Sequence, residues 1–263
     1  MRKSILSLSV AAALLVPSLA AAQAAAPSPL TGNATLLTDY RFRGISQTLG
    51  KPAFQGGFDY AHASGFYLGN WNSNVNEVAG YPGANLEMDF YGGYKKAFGD
   101  FGIDAGLLYY YYPGSEARTL TNPHTSKTNS GTVYNTEGYL AGSWKWITLK
   151  WSHAFSDYFQ TPDTKGTNYL DLGAAYDVGG GWGVNGHVGH TSVHNFSDAS
   201  YSDYKLGVTK DLSGWVLGAS LVSTDAKHNC SNTPADPYCF FKVTGGTYDA
   251  GKSTIVLSVG KTF

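Results

Sequence analysis

The rhythm of the connections constrains this chain more than any single motif does. Twelve stretches alternate apolar and polar residues with a period of two, the pattern of strands with two unlike faces. They run roughly Ala34–Arg43, Ala53–His62, Gly65–Ser73, Ala84–Lys96, Phe101–Tyr112, Val133–Trp144, Trp146–Ser156, Thr167–Val178, Trp182–Thr191, Tyr201–Leu212, Trp215–Thr224 and Ser253–Phe263. The connections after the even-numbered stretches are short: Ala63-Ser64, Ala97–Asp100, Lys145, Gly179–Gly181 and Ser213-Gly214. Those after the odd-numbered stretches are longer: Gly44–Pro52, Asn74–Gly83, Pro113–Thr132, Asp157–Gly166, Ser192–Ser200 and Asp225–Lys252. Short and long alternate without exception. A sandwich with Greek-key crossings has no reason to do this. An up-and-down antiparallel barrel, with tight turns at one end and long loops at the other, does.

The last stretch sharpens the expectation. Ile255, Leu257, Val259 and Phe263 share one parity, and Thr254, Ser258, Gly260 and Thr262 share the other, with Val256 as the exception. Its length is that of a tilted strand crossing a bilayer. An open sheet edge is not tolerated in hydrocarbon, so such a strand must pair on both sides and close the sheet. An aromatic residue at the end of it resembles the terminal signal of bacterial outer-membrane barrels. The expected fold is all-β: a transmembrane up-and-down barrel of about twelve strands.

Composition agrees. Charged residues make up 14% of the chain, against about 25% in an average soluble domain. There are 33 Gly and 19 Tyr, as expected of a wall that meets lipid and carries aromatic girdles. Arg2 and Lys3, the apolar run Ile5–Val16 and the small residues of Ser18–Ala24 read as a signal peptide for the Sec pathway. Cleavage is expected after Ala22, or else after Ala24, which makes residues 1–22 the signal and 23–263 the barrel. No later apolar run is long enough for a membrane-spanning helix. The expected partners are outer-membrane lipid outside and small solutes or ions within. A net charge of −1 argues against nucleic acid. No cofactor is called for.

Strand parity assigns the two walls. Leu86, Met88, Phe90 and Tyr94 oppose Asn85, Glu87, Asp89, Tyr91 and Lys95. Ile147, Leu149, Trp151 and Phe155 oppose Thr148, Lys150 and Ser152. Leu170, Leu172, Ala174 and Tyr176 oppose Tyr169, Asp171 and Gly173, and Tyr204, Leu206 and Val208 oppose Asp203, Lys205 and Gly207. A charge facing lipid at mid-depth costs roughly 2–4 kcal/mol, so the charged face points into the lumen. The same parity puts Leu36, Tyr40 and Phe42 on the outer face of the first strand, and Asp39, Arg41 and Arg43 inside, with Arg43 near the long-loop mouth. Asp59, Glu87, Asp89 and Asp171 then stand as carboxylate partners for the arginines. Two readings of Arg41 and Arg43 follow: a basic constriction that selects solutes by charge, or a structural network paired to carboxylates.

The runs Asp39–Thr48 (DYRFRGISQT), Ala53–Tyr60 (AFQGGFDY), Gly65-Phe-Tyr and Leu86–Tyr94 (LEMDFYGGY) recur in an order that resembles the proteobacterial family of TorF-type porins. Tyr169–Gly173, Gly207–Leu212 and the ending Val-Gly-Lys-Thr-Phe263 fit the same family. The resemblance covers nearly all of the chain beyond the signal and departs in the loops Pro113–Thr132 and Asp225–Lys252. It implies an outer-membrane barrel.

Cys230 and Cys239 are the only cysteines, and in an exported loop they read as a disulfide. His187, His190 and His194 suggest a metal site by count. On a strand, however, His187 and His190 point to opposite walls, so no metal is expected. His190 and Ser192 share the outer wall, like the His-x-Ser pair of outer-membrane phospholipase A, but no third group to orient the histidine is evident. The leading functional reading is a passive channel. The alternatives are a structural or adhesive barrel without an open pore, and a lipid hydrolase.

Overall fold

The computed structural model describes residues 28–232 and 235–263. The expected signal peptide and its cleavage site lie outside these residues. Twelve antiparallel strands form one closed barrel. They are β1 (Leu30–Leu37), β2 (Ala53–Ala61), β3 (Phe66–Asn74), β4 (Leu86–Phe98), β5 (Phe101–Tyr111), β6 (Tyr134–Trp144), β7 (Ile147–Ala154), β8 (Asn168–Gly179), β9 (Trp182–Ser192), β10 (Tyr201–Leu212), β11 (Trp215–Thr224) and β12 (Thr254–Thr262). Each strand pairs with its neighbours in sequence. β12 closes on β1 with Asn33 opposite Thr262 and Leu37 opposite Ser258.

The wall is apolar outside and polar inside. Every strand carries at least one large apolar side chain that is 44% exposed or more: Leu36, Phe58, Leu68, Phe90, Leu107, Leu140, Leu149, Leu172, Val188, Leu206, Leu221 and Leu257. A continuous apolar belt of this kind on a soluble protein would be an aggregation surface, whereas in lipid it is the solvated face. Below it, at the short-turn end, Phe98, Phe101, Trp144, Trp146, Trp182 and Trp215 form an exposed aromatic rim. Lys145, Lys210 and Lys261 lie over Trp144, Trp182 and Trp215 at 4.9–5.0 Å. Amphipathic rings and snorkelling lysines of this kind belong at a membrane interface.

The inner face is built from polar and tyrosine side chains, several fitted over glycines of the next strand. An added Cβ on Gly106 would lie 2.5 Å from the Tyr139 hydroxyl, and one on Gly189 would lie 2.1 Å from that of Tyr169. The wall is thin at these glycines so that the rings can lie flat against it.

The first strand departs from expectation. It ends at Leu37, and residues 38–52 fold into the lumen instead of projecting as an outer loop. Arg41–Phe42 and Ile45–Ser46 pair there as a small hairpin. Its turn residues, Arg43 at φ 45° and Gly44 at φ 81°, have the positive φ values of a two-residue hairpin turn. Asp39, Arg41 and Arg43 are therefore not on the barrel wall, and Tyr40 and Phe42 do not face lipid. The parity of Ala34–Arg43 continues through the bend, and so hides it.

The long loops pack over this hairpin. Tyr40, Phe42, Trp71, Tyr81, Tyr110 and Tyr112 form one buried aromatic cluster across the long-loop half of the lumen, with the half-buried Phe159 packed against it. Tyr81 stacks on Tyr112 at 3.7 Å. Cys230 and Cys239 are joined in a disulfide within the last long loop.

Candidate functional site

Asp39 organises the folded-in segment. Its carboxylate accepts hydrogen bonds from Arg41 Nε at 2.6 Å, Ser46 Oγ at 2.6 Å, Thr48 Oγ1 at 3.0 Å and the Gly50 amide at 3.2 Å. A single buried carboxylate thus collects the loose ends of the turn, since charge-assisted bonds are the strong ones. The segment is then pinned to the barrel on several sides. Arg41 Nη1 donates to the carbonyls of Ala250 and Lys252, both at 3.0 Å. The Tyr40 hydroxyl donates to Glu87 at 2.8 Å, and the Tyr81 hydroxyl donates to Gln47 at 2.6 Å. Arg43 donates to Glu137 at 2.7 Å and to the Tyr158 hydroxyl at 2.9 Å, with its guanidinium 4.2 Å from the Tyr169 ring.

The arginine partners are not those read from the sequence. Arg41 pairs with Asp39 of its own segment, and Arg43 pairs with Glu137 of β6. Asp59, Glu87, Asp89 and Asp171 lie on the lumen side but pair with neither. Asp59 accepts from Tyr91 at 2.5 Å. Asp89 is buried on β4, between Trp71 and Tyr110 in register. Asp171 contacts His187 Nδ1 at 2.9 Å. Asp203 is fully buried, accepts from Tyr169 at 3.1 Å and lies 3.6 Å from His187 Nε2. Glu137 escaped the sequence reading because β6 mixes Gly138, Leu140, Ala141 and Gly142 on its two faces. The signal that would have found it is cross-strand parity, carried over from Lys150 through Ala141.

Beneath the hairpin is a cavity of about 400 Å³. It reaches Ala97, Gly102 and Ser143, beside the short turns. Its lining intersperses the basic residues Arg41, Arg43, Lys95, Lys150 and Lys205 with the acidic residues Asp39, Asp104, Glu137 and Asp171. Glu87, Asp89 and Asp203 sit outside that lining, among the buried groups of the filled half and wall. No group of His, Cys, Asp and Glu able to hold a metal ion occurs among the described residues.

On the outer wall, His190 Nδ1 lies 3.1 Å from Ser202 Oγ, across the strand pair, rather than against Ser192. No carboxylate or amide side chain hydrogen-bonds to the His190 ring among the described residues. The contact therefore lacks the orienting group that a hydrolytic triad needs.

This chain belongs to the family described as a bacterial protein of unknown function (Gcw_chp), whose model matches residues 21–263. No curated protein matches it. Among solved structures it is similar to the KdgM porin, with a TM-score of 0.51 and 8% identity over 89% of this chain and 98% of that one. The KdgM porin in complex with disordered oligogalacturonate is similar to the same degree, with a TM-score of 0.51 and 9% identity over 89% of this chain and 97% of that one. At such identity the likeness establishes the fold alone: a closed antiparallel barrel like that of the KdgM porin.

Proposed function

We propose that this chain is a porin-like outer-membrane channel for ions or small polar solutes, narrowed from within by residues 38–52. The observation that carries the reading is the pairing of an apolar outer belt with a charged lumen cavity that reaches the short-turn end. Charges inside a membrane barrel are costly unless they pair with one another or line a watery cavity, and Lys95, Lys150 and Lys205 line the cavity. The folded-in hairpin occupies the place of a constriction, with its two arginines held in fixed positions by carboxylates. The resemblance of Asp39–Thr48 and Leu86–Tyr94 to TorF-type porins supports the same reading. On this model the short turns face the periplasm and the long loops face outward.

A second reading, a barrel closed inside and acting through its outer loops, is favoured by the aromatic cluster that fills the long-loop half. Planar-bilayer recording separates the two. The channel reading expects discrete current steps from the refolded protein, with a larger unit conductance after deletion of residues 39–50. Silence from both proteins, with heat-modifiable gel migration intact, would leave only the second reading.

A further inference from the structure

The arginines and lysines of the cavity are treated differently by the fold. Arg41 and Arg43 are neutralised by Asp39 and Glu137. Lys95, Lys150 and Lys205 are not: no carboxylate oxygen comes within the 4.0 Å of an ion pair to any of the three ammonium groups among the described residues. This is not for want of carboxylates nearby. Lys95 stands opposite Asp104 on β5, and Lys150 stands opposite Asp171 on β8, in one register row that also passes through Ala141. Those carboxylates are engaged elsewhere. Asp104 accepts from the Tyr67 hydroxyl at 2.6 Å, and Asp171 contacts His187 at 2.9 Å. Two of the ammonium groups lie over ring faces instead, Lys95 over Tyr67 at 5.4 Å and Lys150 over Tyr139 at 4.3 Å.

We infer that Lys95, Lys150 and Lys205 form a binding site for a small polycarboxylate, entered from the short-turn side of the lumen. The strands that carry them, β4, β7 and β10, lie three strands apart along one half of the wall, with β4 and β10 six strands apart across the barrel, so their charges approach the cavity from separate directions. A solute with several carboxylates meets more than one of them at once, whereas a monovalent anion meets one. A lysine is a compact point charge on a flexible stem and needs no planar, two-pronged partner. The tyrosine rings beside the ammonium groups supply a surface for the carbon body of the ligand. About 400 Å³ is enough for a molecule of this size. Low-dielectric walls strengthen the attraction beyond its value in water.

The site deepens the channel reading, on which it rests for a solute to reach the lumen, but its test does not need conductance. The test is calorimetric titration of the purified barrel in uncharged detergent at low salt, with citrate as the probe. We expect saturable binding that weakens as salt is raised, and that weakens roughly tenfold or more in Lys150→Gln/Lys205→Gln. Lys95→Gln, as an independent variant, should also weaken it. Lys210→Gln on the outer rim should leave it unchanged. Heat-modifiable migration reports that each variant is folded. Absence of citrate binding by the folded wild type overturns the inference, as does equal binding by the lumen variants. Inorganic phosphate binding as tightly as citrate overturns the assignment to an organic anion. A barrel that conducts but ignores citrate sinks this site alone, and one that binds citrate without conducting sinks the channel alone.

Discussion

Arg43 and Glu137, 94 residues apart in sequence, meet inside the barrel at 2.7 Å, with both side chains almost completely buried. The pair ties the tip of the folded-in hairpin to the far wall. Removing one member leaves the other charged, desolvated and alone, which costs about 3–5 kcal/mol, more than the pair itself contributes. Arg43→Ala and Glu137→Ala should each lower stability by about that amount in urea unfolding from lipid vesicles. The double variant should lose clearly less than the sum of the two. Additive losses would mean that the pair is not coupled.

Gly44 should tolerate no side chain. Its φ is +81°, and a Cβ there would lie 2.3 Å from Thr224 Cγ2 and 2.9 Å from Asp203 Cβ. Gly44→Ala is expected to push the hairpin off the wall at a cost of about 1–3 kcal/mol. The readout is faster protease cleavage within residues 38–52 of the folded variant. A variant cleaved no faster than wild type would show that the hairpin can shift without loosening.

Asp39→Asn should act on the same segment by another route. The amide keeps the shape but gives up the charge that Arg41 Nε, Ser46 Oγ, Thr48 Oγ1 and the Gly50 amide share. Bonds to a charged acceptor are worth about 1.5–3 kcal/mol, so partial release of the hairpin is expected. In bilayer recordings it should appear as frequent substates of higher conductance. A record identical to wild type would place the hairpin outside the conducting path.

Topology is open to epitope insertion. Gly245 lies exposed in the last long loop, and Asp100 lies in a short turn. A tag at Gly245 should be labelled on intact cells, and one at Asp100 only after the outer membrane is permeabilised. The reverse pattern would invert the barrel. Asn122 is a poor insertion point despite its place in a long loop. It is fully buried and donates to the Pro162 carbonyl at 2.8 Å.

The Cys230–Cys239 disulfide closes a short loop outside the barrel. Such a closure stabilises by at most about 3 kcal/mol in the chain-entropy model. Cys230→Ser should therefore reach the outer membrane and show normal heat-modifiable migration, with only its last long loop more open to protease. Loss of the folded barrel would overturn this.

The barrel itself was legible in the residues. Eleven of the twelve strands lie where alternation puts them, because each wall residue faces either lipid or lumen, and the pleat forces neighbours to opposite sides. The partition of Leu149 from Lys150, or of Leu206 from Lys205, needs no knowledge of any other strand. Residues 38–52 are different. Asp39, Arg41 and Arg43 keep the parity of a strand, yet contacts from Glu137, Tyr158, Ala250 and Lys252 draw them off the wall. Period and composition are local quantities, and by themselves they determined the closed wall, its lipid face and the lumen placement of its charges. Which carboxylate meets which arginine, which lysines stay unpaired and where the chain turns inward depend on groups brought together only when the barrel closes. Those were decided by the tertiary structure, since a buried charge takes the partner that geometry brings within reach, not the one that sequence places nearest.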